Sequence, residues 1–267
     1  LNGSKFYSTG PFLAEWISLT AAAADGGAGV LLHRDTPGLT LVDDWEAFGQ
    51  QHSVSGTVIF DNIELDVAQI ARREGPMKRT GLTFPQILHA AIDTGIARGA
   101  LEASIDYLNQ HSRPWVESGV ERATEEPHII KQIGEYAVDL RASEALLSYA
   151  AGVFDQHDQD PENKELQDEL ILAVASARAQ SDRASLKISS DIFSLLGASA
   201  SLSKWNLDRF WRNARVHTTH DPIRWRLHHV GNYYLNGVDP GEYTAILNKK
   251  QAEGVAQANV ANIKSKE

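Results

Sequence analysis

The chain has 267 residues, 42% of them hydrophobic, and a formal net charge of −10 from 25 basic and 35 acidic side chains. That length allows one large domain or two small ones with a real core, and the acidic balance argues against non-specific nucleic-acid binding, which needs a basic face. Cysteine is absent, which excludes disulfides and thiolate chemistry and is compatible with a cytoplasmic location. No apolar run reaches the roughly 18 residues of a membrane span, and no signal peptide is visible.

The chain opens on Leu1-Asn2-Gly3-Ser4-Lys5-Phe6-Tyr7-Ser8 without an initiator methionine, so it reads as a chain whose N-terminal part is missing. Asn2-Gly3 is a hairpin turn signal. Lys5–Thr9 and Trp16–Ala22 are β-prone, and Gly26-Gly27-Ala28-Gly29 predicts a loop before Val30-Leu31-Leu32-His33. Leu39–Val42 and the β-branched stretch Val54–Phe60 predict strands, with Asn62 turning the second into Ile63-Glu64-Leu65. The period then becomes helical. Apolar residues fall on one face from Phe84 to Leu108, until Ser112-Arg113-Pro114 stops the run. A second amphipathic helix follows Pro127 and reaches Phe154; a third runs from Leu166 to Leu195 and stops at Gly197. A last helix is expected over Pro222–Tyr234, and the segment from Gln251 on reads as frayed or wrapped on a neighbour. The predicted fold is α+β: an antiparallel sheet or small barrel over 1–75, an antiparallel helical bundle over 76–240, and a C-terminal tail over 241–267.

The densest chemistry lies between Lys204 and Pro222, where Trp205, Phe210 and Trp211 precede Arg212, Arg215, His217, His220 and Asp221. Cations, aromatics, imidazoles and a carboxylate together suit a pocket for a flat anionic ligand that also moves protons. His220 can exchange a proton near neutral pH. Asp221 can orient it or cap the helix that begins at Pro222. Arg113 can hold a phosphate or serve as a helix C-terminal cation. The histidines of this region, His217, His220, His228 and His229, come with no H-E-x-x-H string or carboxylate-rich ligand set, so no metal site is expected. Phosphate-loop and esterase-elbow strings are also missing.

Several strings resemble the acyl-CoA dehydrogenase superfamily. Leu1–Gly10 is similar to its N-G-x-K-x-W-I-T-N string, and Phe48-Gly49-Gln50 with Gly56–Ile63 to the later strand segment ending in F-D-x-V. Gly95–Glu102 resembles the first bundle helix, Leu195-Leu196-Gly197-Ala198 the L-G-G turn, and Arg212-Asn213-Ala214-Arg215 the R-D-A-R string. Where many of those enzymes carry a catalytic glutamate followed by Gly-Thr, this chain has His220-Asp221-Pro222. That departure, with Phe6–Gly10, Ser112–Trp115 and Gly231–Gly237, resembles the flavin-dependent monooxygenase branch, which includes dibenzothiophene monooxygenases and sulfur-acquisition oxidoreductases.

The resemblance implies a two-component monooxygenase, supplied with reduced FMN by a transient flavin reductase partner. Such an enzyme uses O2, through a C4a-hydroperoxide, to oxygenate a small organosulfur or aromatic substrate, and it assembles as a homotetramer. It places Thr9 at the N5 side of the flavin and Ser8 on the substrate side; on the β-prone run Lys5–Thr9 such neighbours point to opposite faces, so only one of them is expected to meet the flavin. It further places Tyr7 and Trp45 at the flavin, Arg113 at its phosphate, and His220 with Asp221 in proton handling. An FAD-dependent acyl-CoA dehydrogenase, with Asp221 as the base that removes a thioester α-proton, is the first alternative. A truncated, non-catalytic assembly module is the second.

Overall fold

The computed structural model describes residues 1–23, 26–72 and 77–250, and these form two compact units. Of the described residues, the first comprises those within 1–47, 51–78 and 243–250; the second comprises 48–50 and 79–242.

The first unit holds two three-stranded antiparallel sheets. In one, β5 (Thr57–Phe60) lies between β1 (Gly3–Lys5) and β4 (Leu39–Val42), so that Phe60 faces Gly3 on one side and Leu39 on the other. In the other, β3 (Gly26–His33) lies between β2 (Trp16–Ala23) and β6 (Ile70–Arg72). Burial alternates along β2, where Ile17 and Leu19 point inward and Trp16, Ser18 and Thr20 outward, as the two-residue side-chain period requires. Ile17, Leu19, Val30, Leu32, Val58, Phe60 and Ile63 form a single apolar cluster to which both sheets contribute.

Local expectations change here in several places. The glycine-rich stretch Gly26–Gly29 is strand, not loop. It pairs with the small residues Thr20–Ala23 of β2, and that ladder outweighs the conformational entropy glycine loses. Asn2-Gly3 is not a hairpin turn: Gly3 begins β1 opposite Phe60, and the Asn2 side chain accepts a hydrogen bond from the Asn62 amide at 2.7 Å. The strand expected over Lys5–Thr9 ends at Lys5, because Tyr7 adopts φ 55° and a turn at Gly10 follows. Val54 adopts φ 44°, which shortens its strand to Thr57–Phe60. Ile63–Leu65 form no strand, whereas Ile70–Arg72 do. A helix over 242–250 follows, tied to Met77 by a reciprocal pair of hydrogen bonds with the Asn248 side chain at 2.8 and 3.0 Å. The stretch from Gln251 lies outside the described residues.

The second unit is a helical bundle of α1 (Thr83–Gln110), α2 (Pro127–Gln159), α3 (Lys164–Leu196), α4 (Asp208–His217) and α5 (Ile223–Asn236). α3 packs against each of the other four. Its start is fixed by Asn163, whose side chain accepts from the amides of Glu165 and Leu166 at 3.1 and 3.2 Å. Gly197 ends it with φ 75°. Pro127 opens α2 at its first position, where a missing N–H costs nothing. The bundle core has a large-residue part around Tyr136, Ile188 and Ile192 and an alanine-rich part around Ala90, Ala150, Leu170 and Ala177. The three long helices match the sequence periodicity, and α4 adds a ten-residue helix between α3 and α5. Among the described residues, no helix is long and apolar enough to cross a membrane.

Candidate active site

Four segments of the helical unit meet in a buried polar network. α1 carries Gln86, His89 and Asp93 within two turns, and α3 contributes Arg178. α4 ends on His217, and the link to α5 carries His220 and Asp221. Arg178 and Asp93 are fully buried. Such a charge is tolerated only when its donors and acceptors are matched. The Arg178 guanidinium donates to Gln86 Oε1 at 3.0 Å, Asp93 Oδ2 at 2.7 Å and Asp221 Oδ1 at 3.1 Å. Asp221 also receives Arg226 at 2.5 Å through Oδ2.

The other Asp93 oxygen lies 2.6 Å from His217 Nδ1. An ionised carboxylate only accepts, so that imidazole nitrogen carries the proton. His217 Nε2 then faces His89 Nδ1 at 3.0 Å, and the His220 ring is tilted against His89 with centroids 4.1 Å apart. Burial, followed by the neighbouring His220, His217 and Arg178, pushes His89 down to about 4 from the usual 6.5, against a weaker pull from Asp221. Burial raises Asp221 as well, but the Arg226 hydrogen bond and the charges of Arg226 and Arg178 outweigh it and hold the carboxyl below its ordinary range. Asp182, buried beside the network, is raised by desolvation and then by Asp93, with Arg178 and Arg215 opposing.

Asp221 does not cap α5. Both its oxygens are taken by guanidiniums, and the residue at the cap is Pro222, with no side-chain bond to the helix. Arg212 and Asn213 are used structurally. Arg212 bonds Asp208 at 2.8 Å, Asn206 at 3.0 Å and the Phe48 carbonyl at 3.2 Å, while Asn213 accepts from the Gln50 amide at 2.8 Å. Phe48 stacks on Trp211 at 5.8 Å. Two strings far apart in the chain, Phe48–Gln50 and Arg212–Arg215, are thereby neighbours.

In the first unit, Ser8 and Thr9 line one cavity of about 370 Å³ together with Lys5, Ile17, Val58 and Phe60. They lie in an irregular segment, not on a strand: the Ser8 amide donates to the Gly56 carbonyl at 3.0 Å, and the Thr9 hydroxyl meets that of Ser55 at 2.6 Å. The face alternation that a strand would impose on the two hydroxyls therefore does not apply. Tyr7 is exposed and meets Trp45 edge-on at 6.1 Å. Arg113 is exposed just beyond the end of α1, and among the described residues it makes no hydrogen bond or ion pair. The described residues hold no cluster of three or more potential metal ligands. Thus Ser8 and Thr9 share a cavity, Tyr7 and Trp45 share a contact, and His220 and Asp221 belong to the network. Sequence reading missed Gln86, His89, Asp93 and Arg178. A signal was present, since Asp93 and Arg178 sit on the apolar stripes of α1 and α3, among Ala90, Ala97, Val174 and Ala177.

A bundle of this topology preceded by small antiparallel sheets is the C-terminal part of an acyl-CoA dehydrogenase fold. The profile of the acyl-CoA dehydrogenase C-terminal domain matches residues 87–225, more than half of the 267, and the chain belongs to that family. Dibenzothiophene monooxygenase of Rhodococcus erythropolis is 31% identical over 260 residues, covering 90% of this chain and 62% of its own. A protein of Pseudomonas putida described as "Probable FMNH2-dependent monooxygenase SfnC" is 29% identical, over 90% of this chain and 63% of its own. The FMN-bound crystal structure of TdsC from Paenibacillus sp. A11-2 superposes with a TM-score of 0.84 at 29% identity, covering 90% of this chain and 64% of that one. This chain therefore spans less than two thirds of the length of these relatives.

Proposed function

We propose that the protein is the flavin-binding and oxygenating component of a two-component monooxygenase. It takes reduced FMN from a separate reductase and acts on a small organosulfur or aromatic compound. One observation separates this from the dehydrogenase reading. A base that removes a carbon-bound proton must be free and basic, whereas Asp221 is held by two guanidiniums and its carboxyl is lowered. Asp221 is better suited to fixing Arg178, and through it Asp93, than to abstracting a proton. His220 is exposed and its ring lies against that of His89, at the open end of the network.

The residues fit a flavin. The cavity beside Ser8 and Thr9 falls in the size range of small-molecule sites, and its lining combines the hydroxyls of Ser8 and Thr9 with the apolar side chains of Ile17, Val58 and Phe60. Thr9 would donate to the ring edge, with Tyr7 and Trp45 beside it. Arg113, with no protein partner among the described residues, would take the phosphate. When bound, reduced FMN supplies activation of O2 and transfer of one oxygen atom. The chain's own part is to orient the ring, exclude water and hold protons on His217, His89 and His220. The names of the relatives support this chemistry. A homotetramer and a transient reductase partner belong to the same proposal.

Flavin titration tests the phosphate assignment. Arg113→Ala is expected to weaken FMN binding about tenfold and riboflavin binding hardly at all, since riboflavin lacks the phosphate. Equal loss for both ligands counts against it. Anaerobic addition of acyl-CoA thioesters is expected to leave bound flavin oxidised; its bleaching would favour the dehydrogenase.

A further inference from the structure

Three imidazoles and a carboxylate stand in a row through the network, and exposure rises along it. Asp93 is fully buried, the His217 side chain is 11% exposed, His89 is half-buried and His220 is exposed. We infer that His89 is a positioning residue that passes protons between the open side of the network and the His217–Asp93 pair. The inference rests on the monooxygenase reading only for the reaction it serves.

The bonding order gives two states that differ by one proton. In the first, His217 Nδ1–H donates to Asp93 Oδ1 and His89 Nδ1–H donates to His217 Nε2. His89 Nε2 is then an open acceptor, because among the described residues His89 makes no other side-chain hydrogen bond. In the second, a proton has bound His89 Nε2. The Nδ1–H bond of His89 breaks as an Nε2–H bond forms on His217, and His89 remains neutral. The positive charge ends on His217, 2.6 Å from the Asp93 carboxylate. Run in reverse, the row returns a proton to the open side.

The groups around His89 favour this outcome over a resting charge on His89. The His220 and His217 rings both lie against His89, with centroids 4.1 and 4.8 Å away, and Arg178 of α3 adds a fixed positive charge. Asp221 is the sole opposing influence among those acting on the ring, and its charge is already shared by Arg178 and Arg226. Arg178 also clamps Asp93 Oδ2, leaving Oδ1 aimed at His217.

Nitrogen NMR of the imidazoles in the full-length protein tests the row without any turnover. Neutral histidine side chains ordinarily prefer the Nε2–H tautomer; His217 and His89 are expected to be Nδ1–H at pH 7. An Nε2–H tautomer at either would overturn the proposal. In the protein loaded with reduced FMN, His89→Gln, which can donate a hydrogen bond but not relay a proton, is expected to lower kcat about 10²-fold. KM should stay within about twofold, the acid limb of the pH–rate profile should change, and added imidazole should restore part of the activity of His89→Ala. A loss with an unchanged pH profile and no imidazole rescue would mark His89 as merely structural and contradict the relay. If the unaltered protein shows no oxygen-dependent turnover, the monooxygenase reading fails, and the tautomers still decide the relay.

Discussion

The fully buried guanidinium of Arg178 decides how the site is held. Its three bonds go to Gln86, Asp93 and Asp221, on α1 and on the link between α4 and α5, so one cation from α3 joins both. Removing one partner of such a buried pair costs about 3–5 kcal/mol, because the remaining charge is left uncompensated. An exposed pair contributes roughly 0–1 kcal/mol. Asp93→Asn is therefore expected to lower the urea midpoint far more than Asp139→Asn, which breaks only the half-exposed contact with Lys187. Similar losses for the two would contradict the burial argument. His89 makes a second prediction. Its folded pKa, about 4, lies below the usual 6.5, so between those values the unfolded chain binds more protons and stability falls as pH falls. The lowered carboxyl of Asp221 adds a loss only below the ordinary carboxylate range, and raised Asp182 acts in the opposite sense. The difference between the stability curves of the unaltered protein and His89→Gln isolates the histidine, and it should change through pH 6.5 to 4. A flat difference would rule out the depressed imidazole.

At the scale of elements, α4 is fixed by a segment more than 150 residues earlier in the chain. Gln50 donates to Asn213, Arg212 donates to the Phe48 carbonyl, and Gly49 lies so close that an added Cβ would stand 2.0 Å from the Arg212 carbonyl oxygen. Gly49→Ala is expected to destabilise the helical unit by roughly 1–3 kcal/mol, read from its thermal transition, since backbone must move to admit the methyl. An unchanged transition would mean the segment yields freely. The same pairing shows what a sequence can and cannot carry. The three long helices were legible because their apolar residues recur at the helical period over many turns. Phe48-Gly49-Gln50 and Arg212–Arg215 were visible as strings, but no local rule says that they touch. Gly26–Gly29 departs from the loop its sequence predicts for a related reason: strand pairing with β2 overrides the local preference of glycine for loops. His220 and Asp221 were found because they sit in a dense polar run. Asp93 and Arg178 do not stand out in the sequence, because each is one charge among several on a long amphipathic helix.

At the scale of the molecule, the bundle and the two small sheets place the chain in the acyl-CoA dehydrogenase family, whose fold alone does not fix the chemistry. Asp221, tied by Arg178 and Arg226, speaks against abstraction of a carbon-bound proton, and the row from His220 to Asp93 suits the handling of protons beside oxygen chemistry. The most direct measurement supplies the full-length protein with chemically reduced FMN, dibenzothiophene and isotopically labelled 18O2. The predicted result is one labelled oxygen in the sulfoxide product. Product lacking the label, or no product while an acyl-CoA thioester reduces the bound flavin, would contradict the account.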